Sequence, residues 1–226
     1  MAGGAERLVI DICNELEKRN EVEVKLLLLS KRIDFDDKII KFNYSVIKSH
    51  LRLSLKNTNR ADLNEFEDVV TKFKPDIIHS HLFETELLSR WKVFPNITYI
   101  THCHDNMSQI SDFTIKKSLK KNLTDYYEKK LLFNRYIDCN NNFIAISKNT
   151  NDYFTKVIPK TLKKNIFLLS NAIDVKRFYN AGKKDFREIR MINIGSFVKK
   201  KNQVFAVKVL KNIIDKGFNA NLTFLG

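Results

Sequence analysis

Along the chain, short apolar runs alternate with amphipathic segments whose apolar positions recur at helical spacing. This alternation predicts repeated β-α units built on parallel sheet. Ala5, Leu8, Val9, Ile12, Cys13 and Leu16 fall on one face, predicting a helix from about Gly4 to Arg19. VEVKLLLL (22–29) predicts a buried strand and KIIKFNYSV (38–46) a second, while 47–60 is polar and irregular. A helix is expected over Asn64–Phe73, stopping before Pro75 because the residue preceding proline avoids the α region. DIIHSH (76–81), ITYITH (97–102), FIAIS (143–147) and NIFLLS (165–170) predict further strands. Between them come helices over Glu84–Trp91 and from about Ile115 to Arg135, and Ser147 is placed to cap a third.

After residue 170 the pattern changes. Asn171–Phe186 has no clear period and carries Gly182 and several charges, as expected of a linker between a first domain, 1–170, and a second that starts at 187. The second begins with IRMINIG (189–195) as strand, Gln203–Lys216 as helix with Val204, Val207, Leu210, Ile213 and Ile214 on one face, and ANLTFLG (220–226) as strand. Both ends read as cut. A Gly-Gly pair opening a helix ordinarily follows a strand, and Gly226 falls where a strand would turn into its next helix.

Composition narrows the class. With 226 residues, 43% hydrophobic and 29% charged, the chain matches soluble globular proteins. No run approaches the ~18 apolar residues of a membrane span, the longest being Val24–Leu29, broken by Lys25. The N-terminus lacks the basic and apolar regions of a secretory signal. Cys13, Cys103 and Cys139 fit neither a disulfide framework nor a zinc knuckle, so a reducing cytoplasm is the simplest setting. The net charge of +14 is spread along the chain in short clusters such as Lys120–Lys121 and Lys199–Lys201. Part of it reflects plain use of lysine at solvated positions. It forms no basic stripe with interleaved aromatics, so nucleic acid is not the expected partner.

Three features lie where doubly wound sheets bind ligands, at the carboxyl ends of strands. GGAER (3–7) opens a helix with two glycines, where backbone N–H groups can approach an anion. His79 and His81 end one strand, and His102 and His104 end the next, each pair on one face by strand alternation. Four imidazoles at one sheet edge could ligate zinc. However, no neighbouring carboxylate pattern or His-x-x-x-His helix accompanies them, and for His79 and His81 polar strand ends facing water is the plainer expectation. GSFVKKKN (195–202) joins a strand to a helix through a lysine-rich loop that could present cations and backbone donors to a diphosphate, though it is no Walker loop.

The order of these stretches resembles the GT-B glycosyltransferases, and within them the retaining group called family 4. The matching segments are GGAERLVIDICNELEKR, KPDIIHSH, FIAISKNTNDYF, LLSNAIDVKRF with Asn171, Ile173, Asp174 and Phe178, and GSFVKKKNQVFAVKVL. The resemblance implies an α/β fold with a Rossmann-like first domain lacking its first strand, followed by the first β-α-β unit of a second Rossmann-like domain. It further implies a hexosyltransferase that moves sugar from a UDP-, GDP- or similar nucleotide-diphosphate donor to a polysaccharide or lipid-linked acceptor, with retention, without a metal and without another cofactor. Carried over, Gly3 and Gly4 match the loop near the donor phosphates and His104 the histidine that contacts the transferred sugar. Lys201 matches the lysine facing the leaving diphosphate, Ser196 stands where the family commonly has arginine, and Asn171 and Asp174 fall at the inter-domain cleft. The family's glutamate pair would lie beyond Gly226.

Three expectations follow from this resemblance. The chain as given should be inactive and weakly stable, because the strand before GGAER is central in that fold. The location should be cytoplasmic, with the Lys116–Arg135 stretch and its Tyr126–Tyr127 pair suited to peripheral contact with an anionic membrane. The alternatives are a non-catalytic GT-B homologue and a metal-dependent hydrolase using His79, His81, His102 and His104.

Overall fold

The computed structural model describes residues 4–29, 40–54, 59–110, 118–176, 179, 182 and 188–226. The chain divides into two compact units, Met1–Ala172 and Ile173–Gly226.

In the first unit, helix α1 (Gly4–Leu16) precedes β1 (Lys25–Leu28) and β2 (Asn43–Val46), which pair in parallel. Both strands are shorter than the apolar runs suggest, and Lys38 and Ile39 of the second run lie outside the described residues. Residues 47–60, expected to be irregular, instead hold β3 (His50–Arg52), which pairs antiparallel with β4 (Arg60–Asp62). At three residues each, with one apolar position apiece, Leu51 and Ala61, these strands are too short to show a period. Cross-strand backbone pairing makes them, and Asn59 Oδ1 accepts from Ser54 N (2.8 Å).

Helix α2 (Asn64–Phe73) ends at Lys74, whose left-handed backbone (φ 51°) turns the chain just before Pro75. From there β5 (Ile77–His81), α3 (Phe83–Ser89), β6 (Thr98–Cys103), α4 (Leu119–Asp138), β7 (Asn142–Ala145), α5 (Lys148–Val157) and β8 (Ile166–Leu168) form three successive crossovers. The four strands lie in the order β5-β6-β7-β8, all parallel. Two serines cap these helices, the first of them expected from the sequence. Ser147 Oγ accepts from Thr150 N (3.2 Å) at the start of α5, and Ser118 Oγ accepts from Lys121 N (3.3 Å) at the start of α4. The expected start of α4 near Ile115 lies outside the described residues.

Two apolar clusters support this unit. One joins Leu87, Cys103, Leu132, Tyr136, Phe143 and Phe154 between the four-stranded sheet and α3, α4 and α5. The other joins Ile47, Phe66, Val70 and Leu88, with Leu27 and Ile78 against it, so that α2 and α3 pack where both parallel sheets contribute side chains.

Between these clusters runs a buried polar network. Arg90, at the end of α3, is fully buried. Its guanidinium donates to Asn141 Oδ1 (2.7 and 2.8 Å), Ser80 Oγ (2.7 Å), Ser89 Oγ (2.9 Å), Thr101 Oγ1 (3.1 Å) and the Glu86 carbonyl (3.2 Å). The rings of Tyr99 and Tyr136 each lie 5.5 Å from the guanidinium. Glu86, also fully buried, accepts from Thr101 Oγ1 (2.5 Å) and Tyr136 Oη (3.0 Å) through Oε2, which sits 3.5 Å from Arg90. Its other oxygen, Oε1, has no partner among the described residues. Burial therefore pushes the Glu86 carboxyl up to about 7, against the opposing pull of Arg90 and of the hydroxyl donors.

In the second unit, β9 (Ile189–Ile194) pairs in parallel with β10 (Ala220–Leu225) through α6 (Gln203–Asp215). No residue of α6 is buried, and Ile194 and Leu225 are exposed, as expected of strands covered on one face at most.

Two outcomes test the network. Arg90→Ala leaves Asn141, Ser80 and the Glu86 carbonyl without their donor and should cost about 3–5 kcal/mol in a denaturant titration. A loss below about 1 kcal/mol, ordinary for an exposed pair, would contradict it. The second concerns pH. With its folded pKa raised above the ordinary 4.5, Glu86 holds a proton in the fold that it has lost in the unfolded chain. Its contribution is present below pH 4.5 and lost as pH rises through about 7. Wild type should therefore lose stability relative to Glu86→Gln across that interval, and parallel stability curves would refute the raised pKa.

Candidate functional site

The parallel register of β5 and β6 sets His81 opposite His102, and strand alternation puts His79 and His104 on the same face. The four imidazoles close into one stack. Ring centroids are 4.5 Å apart for His79 and His81, 4.9 Å for His81 and His102, and 4.6 Å for His102 and His104. Two nitrogen pairs lie at hydrogen-bond distance: His79 Nε2 and His102 Nδ1 (3.1 Å), and His81 Nδ1 and His104 Nε2 (2.8 Å). In each pair one ring donates and the other accepts, so at least the accepting ring of each pair is neutral.

The expectation that His79 and His81 face water is corrected here. Both are partly buried in the stack, because the parallel partner strand brings a second histidine pair against them. Burial, then the neighbouring rings, lowers His79 to about 4 and His81 to about 2. His102 is lowered to about 4 by burial and by His104, opposed by the Asn171 side chain. Even so, His102 Nε2 is buried with no partner of hydrogen-bond geometry among the described residues. His104 is lowered by burial, while Asp105 and Glu6 pull the other way. Glu6 belongs to the first turn of α1, so that helix start lies within electrostatic reach of His104.

The backbone at the end of β5 is strained. Leu82 adopts φ 74°, ψ 153°, a region almost confined to glycine, at a cost of about 1–3 kcal/mol. The Thr85 hydroxyl holds this turn by donating to the carbonyls of His81 and Leu82.

The other residues singled out in the sequence are dispersed. Gly3 and Phe178 lie outside the described residues, and Gly4 is the first residue of α1. Asn171 sits against His102, whereas Asp174 caps a turn, accepting from Lys176 N (3.0 Å). In the second unit the Ser196 carbonyl accepts from Gln203 Nε2 (2.9 Å). The methylenes of Lys201 pass 3.2 Å from where a Cβ on Gly195 would be, and the φ of 142° at Gly195 is what calls for glycine there. Sequence reasoning missed the Arg90–Glu86 network. The one available signal was the i, i+4 spacing of Glu86 and Arg90 in a predicted helix, which is the same for a solvated pair.

A parallel α/β first unit with histidines at its strand ends and a second β-α-β unit are Rossmann-like in architecture. The model for Glycosyltransferase Family 4 matches residues 2–177, and the chain belongs to that family. The comparison with curated proteins finds no match. Among solved structures, Anabaena HepE in complex with UDP-glucose is similar over 100% of this chain and 66% of its own, at 14% identity and TM-score 0.56. The apo form of the lipopolysaccharide outer core galactosyltransferase WaaB is similar over 99% and 65%, at 12% identity and TM-score 0.54. TarM is similar over 76% and 33%, at 16% identity and TM-score 0.50. The fold is accordingly of GT-B type, and the chain spans between a third and two thirds of the length of these structures.

Proposed function

We propose that this protein is a retaining hexosyltransferase that takes its sugar from a nucleotide diphosphate and delivers it to a polysaccharide or lipid-linked acceptor of the bacterial cell envelope. Family membership over residues 2–177 carries the reading. The similar structures support it, since HepE is in complex with UDP-glucose and WaaB is a lipopolysaccharide outer core galactosyltransferase.

His104 is assigned to the transferred sugar. Its neutral ring, held at 2.8 Å by His81, suits hydrogen bonding to a hydroxyl. Gly4, the first residue of a 13-residue helix, and Gly3 before it in the sequence are assigned to donor phosphate, since a helix N-terminus favours negative charge. Lys201 and Ser196, in the loop between β9 and α6, are assigned to the leaving diphosphate, and Asn171 and Asp174 to the donor-side cleft. Cleavage of the sugar–phosphate bond builds charge on the departing oxygens, and a preorganised cation lowers that barrier. On this reading no metal takes part in transfer.

In the protein as its gene encodes it, His104→Ala and Lys201→Ala should each lower turnover by ~10²-fold or more. Near-normal transfer from a nucleotide-diphosphate sugar in both variants would remove the assignment.

A lipid-linked acceptor calls for the enzyme to meet the inner face of the membrane from the cytoplasm. No described helix is long and apolar enough to cross a membrane. On α4, however, Leu119, Leu123 and Tyr126 are exposed at i, i+4 and i+7, beside exposed Lys120, Lys121 and Lys130. This arrangement supports peripheral binding of anionic lipid. Co-sedimentation with vesicles should rise with anionic lipid and fall with salt, whose screening length is ~10 Å at 0.1 M. Equal binding to neutral vesicles, or none to either, would count against it.

A further inference from the structure

We propose that His79, His81 and His102 form a binding site for a late first-row divalent cation, with Zn2+ the best fit. One nitrogen from each ring can be chosen so that all three lie within 4.8 Å of one another. Around a tetrahedral ion with Zn–N bonds of ~2.0–2.1 Å, neighbouring nitrogens stand about 3.3 Å apart. His79 Nε2 and His102 Nδ1 are already at 3.1 Å, and the His81 ring would have to draw in from within the 4.8 Å spread of the three to complete the set.

Two features favour an ion over the stack alone. Rigid adjacent strands in fixed register hold the donors, so little ordering remains to be done on binding. Three neutral imidazoles that leave one position open are the donor set of borderline-soft ions, not of Mg2+ or Ca2+, which take oxygen ligands. No carboxylate is bonded to the three rings among the described residues, so the ion would lack the outer support that typically contributes 10–100-fold in affinity. The site is therefore a moderate binder. Its existence does not depend on the transferase reading.

The experiment uses Co2+ as the spectroscopic probe, followed by competition with Zn2+, on the full chain in chelator-stripped buffer. One equivalent of Co2+ should give the intense visible d–d bands of a tetrahedral nitrogen site, and Zn2+ should abolish them. Zn2+ should also raise the melting temperature, because binding to the folded state alone stabilises it. His79→Gln should weaken Co2+ binding by at least about 10-fold, a ligand counting for no less than an outer-shell partner. His50→Gln removes the one histidine outside the stack and should leave binding unchanged. Circular dichroism and melting of both variants with chelator present separate lost ligands from lost fold, and should His79→Gln fail to fold, His81→Gln takes its place. Absence of saturable Co2+ binding, binding unchanged in the folded stack variant, or loss in His50→Gln would each overturn the proposal.

Discussion

The first unit depends on the buried guanidinium of Arg90. One side chain bonds β5 through Ser80, β6 through Thr101, its own helix through Ser89 and the Glu86 carbonyl, and the turn before β7 through Asn141. A guanidinium cannot shed its charge when buried, so every donor must find an acceptor or the fold carries an uncompensated cation. That requirement fixes where α3 lies on the sheet and how three successive strands align. The apolar clusters on either side tolerate exchange of one aliphatic side chain for another of similar volume. The fork of donors tolerates none of its acceptors moving.

Alignment of β5 with β6 then determines the histidine stack. Ser80, held by Arg90, lies between His79 and His81, while Thr101, also held by Arg90, precedes His102. The polar core thus sets on the reverse face the register by which four imidazoles meet. In a chain of net charge +14 these rings are held neutral by burial and by each other. Neutral imidazoles can accept as well as donate hydrogen bonds and can offer lone pairs. Both the sugar contact assigned to His104 and the cation site assigned to its three neighbours rest on that property.

The second unit is built differently. Its strands pair through six registered residues each, but α6 buries no side chain. Its local order therefore comes from backbone pairing and short-range packing, such as that of Phe197 on Phe224 at 5.9 Å, and not from a core.

Periodicity, with Pro75 marking the end of α2, located α2 to the residue and placed β5, β6, β7, β8, β9, α6 and β10 within one or two residues, because apolar spacing is a property of each segment itself, even in α6, which buries no residue. The family was legible because several local motifs stand in a fixed order, each tied to a strand end or helix start. Ser147 as a cap was legible because capping is a contact three residues long. By contrast, β3 and β4 were not, since three-residue strands with a single apolar position each are too short to carry a period. The solvated reading of His79 and His81 failed for a related reason: a strand's own sequence does not say which neighbour covers its face. Glu86 and Arg90 carried the same spacing they would have on an exposed helix, and only the packing of α3 between β5, β6 and α4 decided that the pair is buried. Sequence determined what each segment is, through interactions a few residues long. The tertiary structure decided which charges lose their water and which histidines become neighbours, because those depend on residues tens of positions apart.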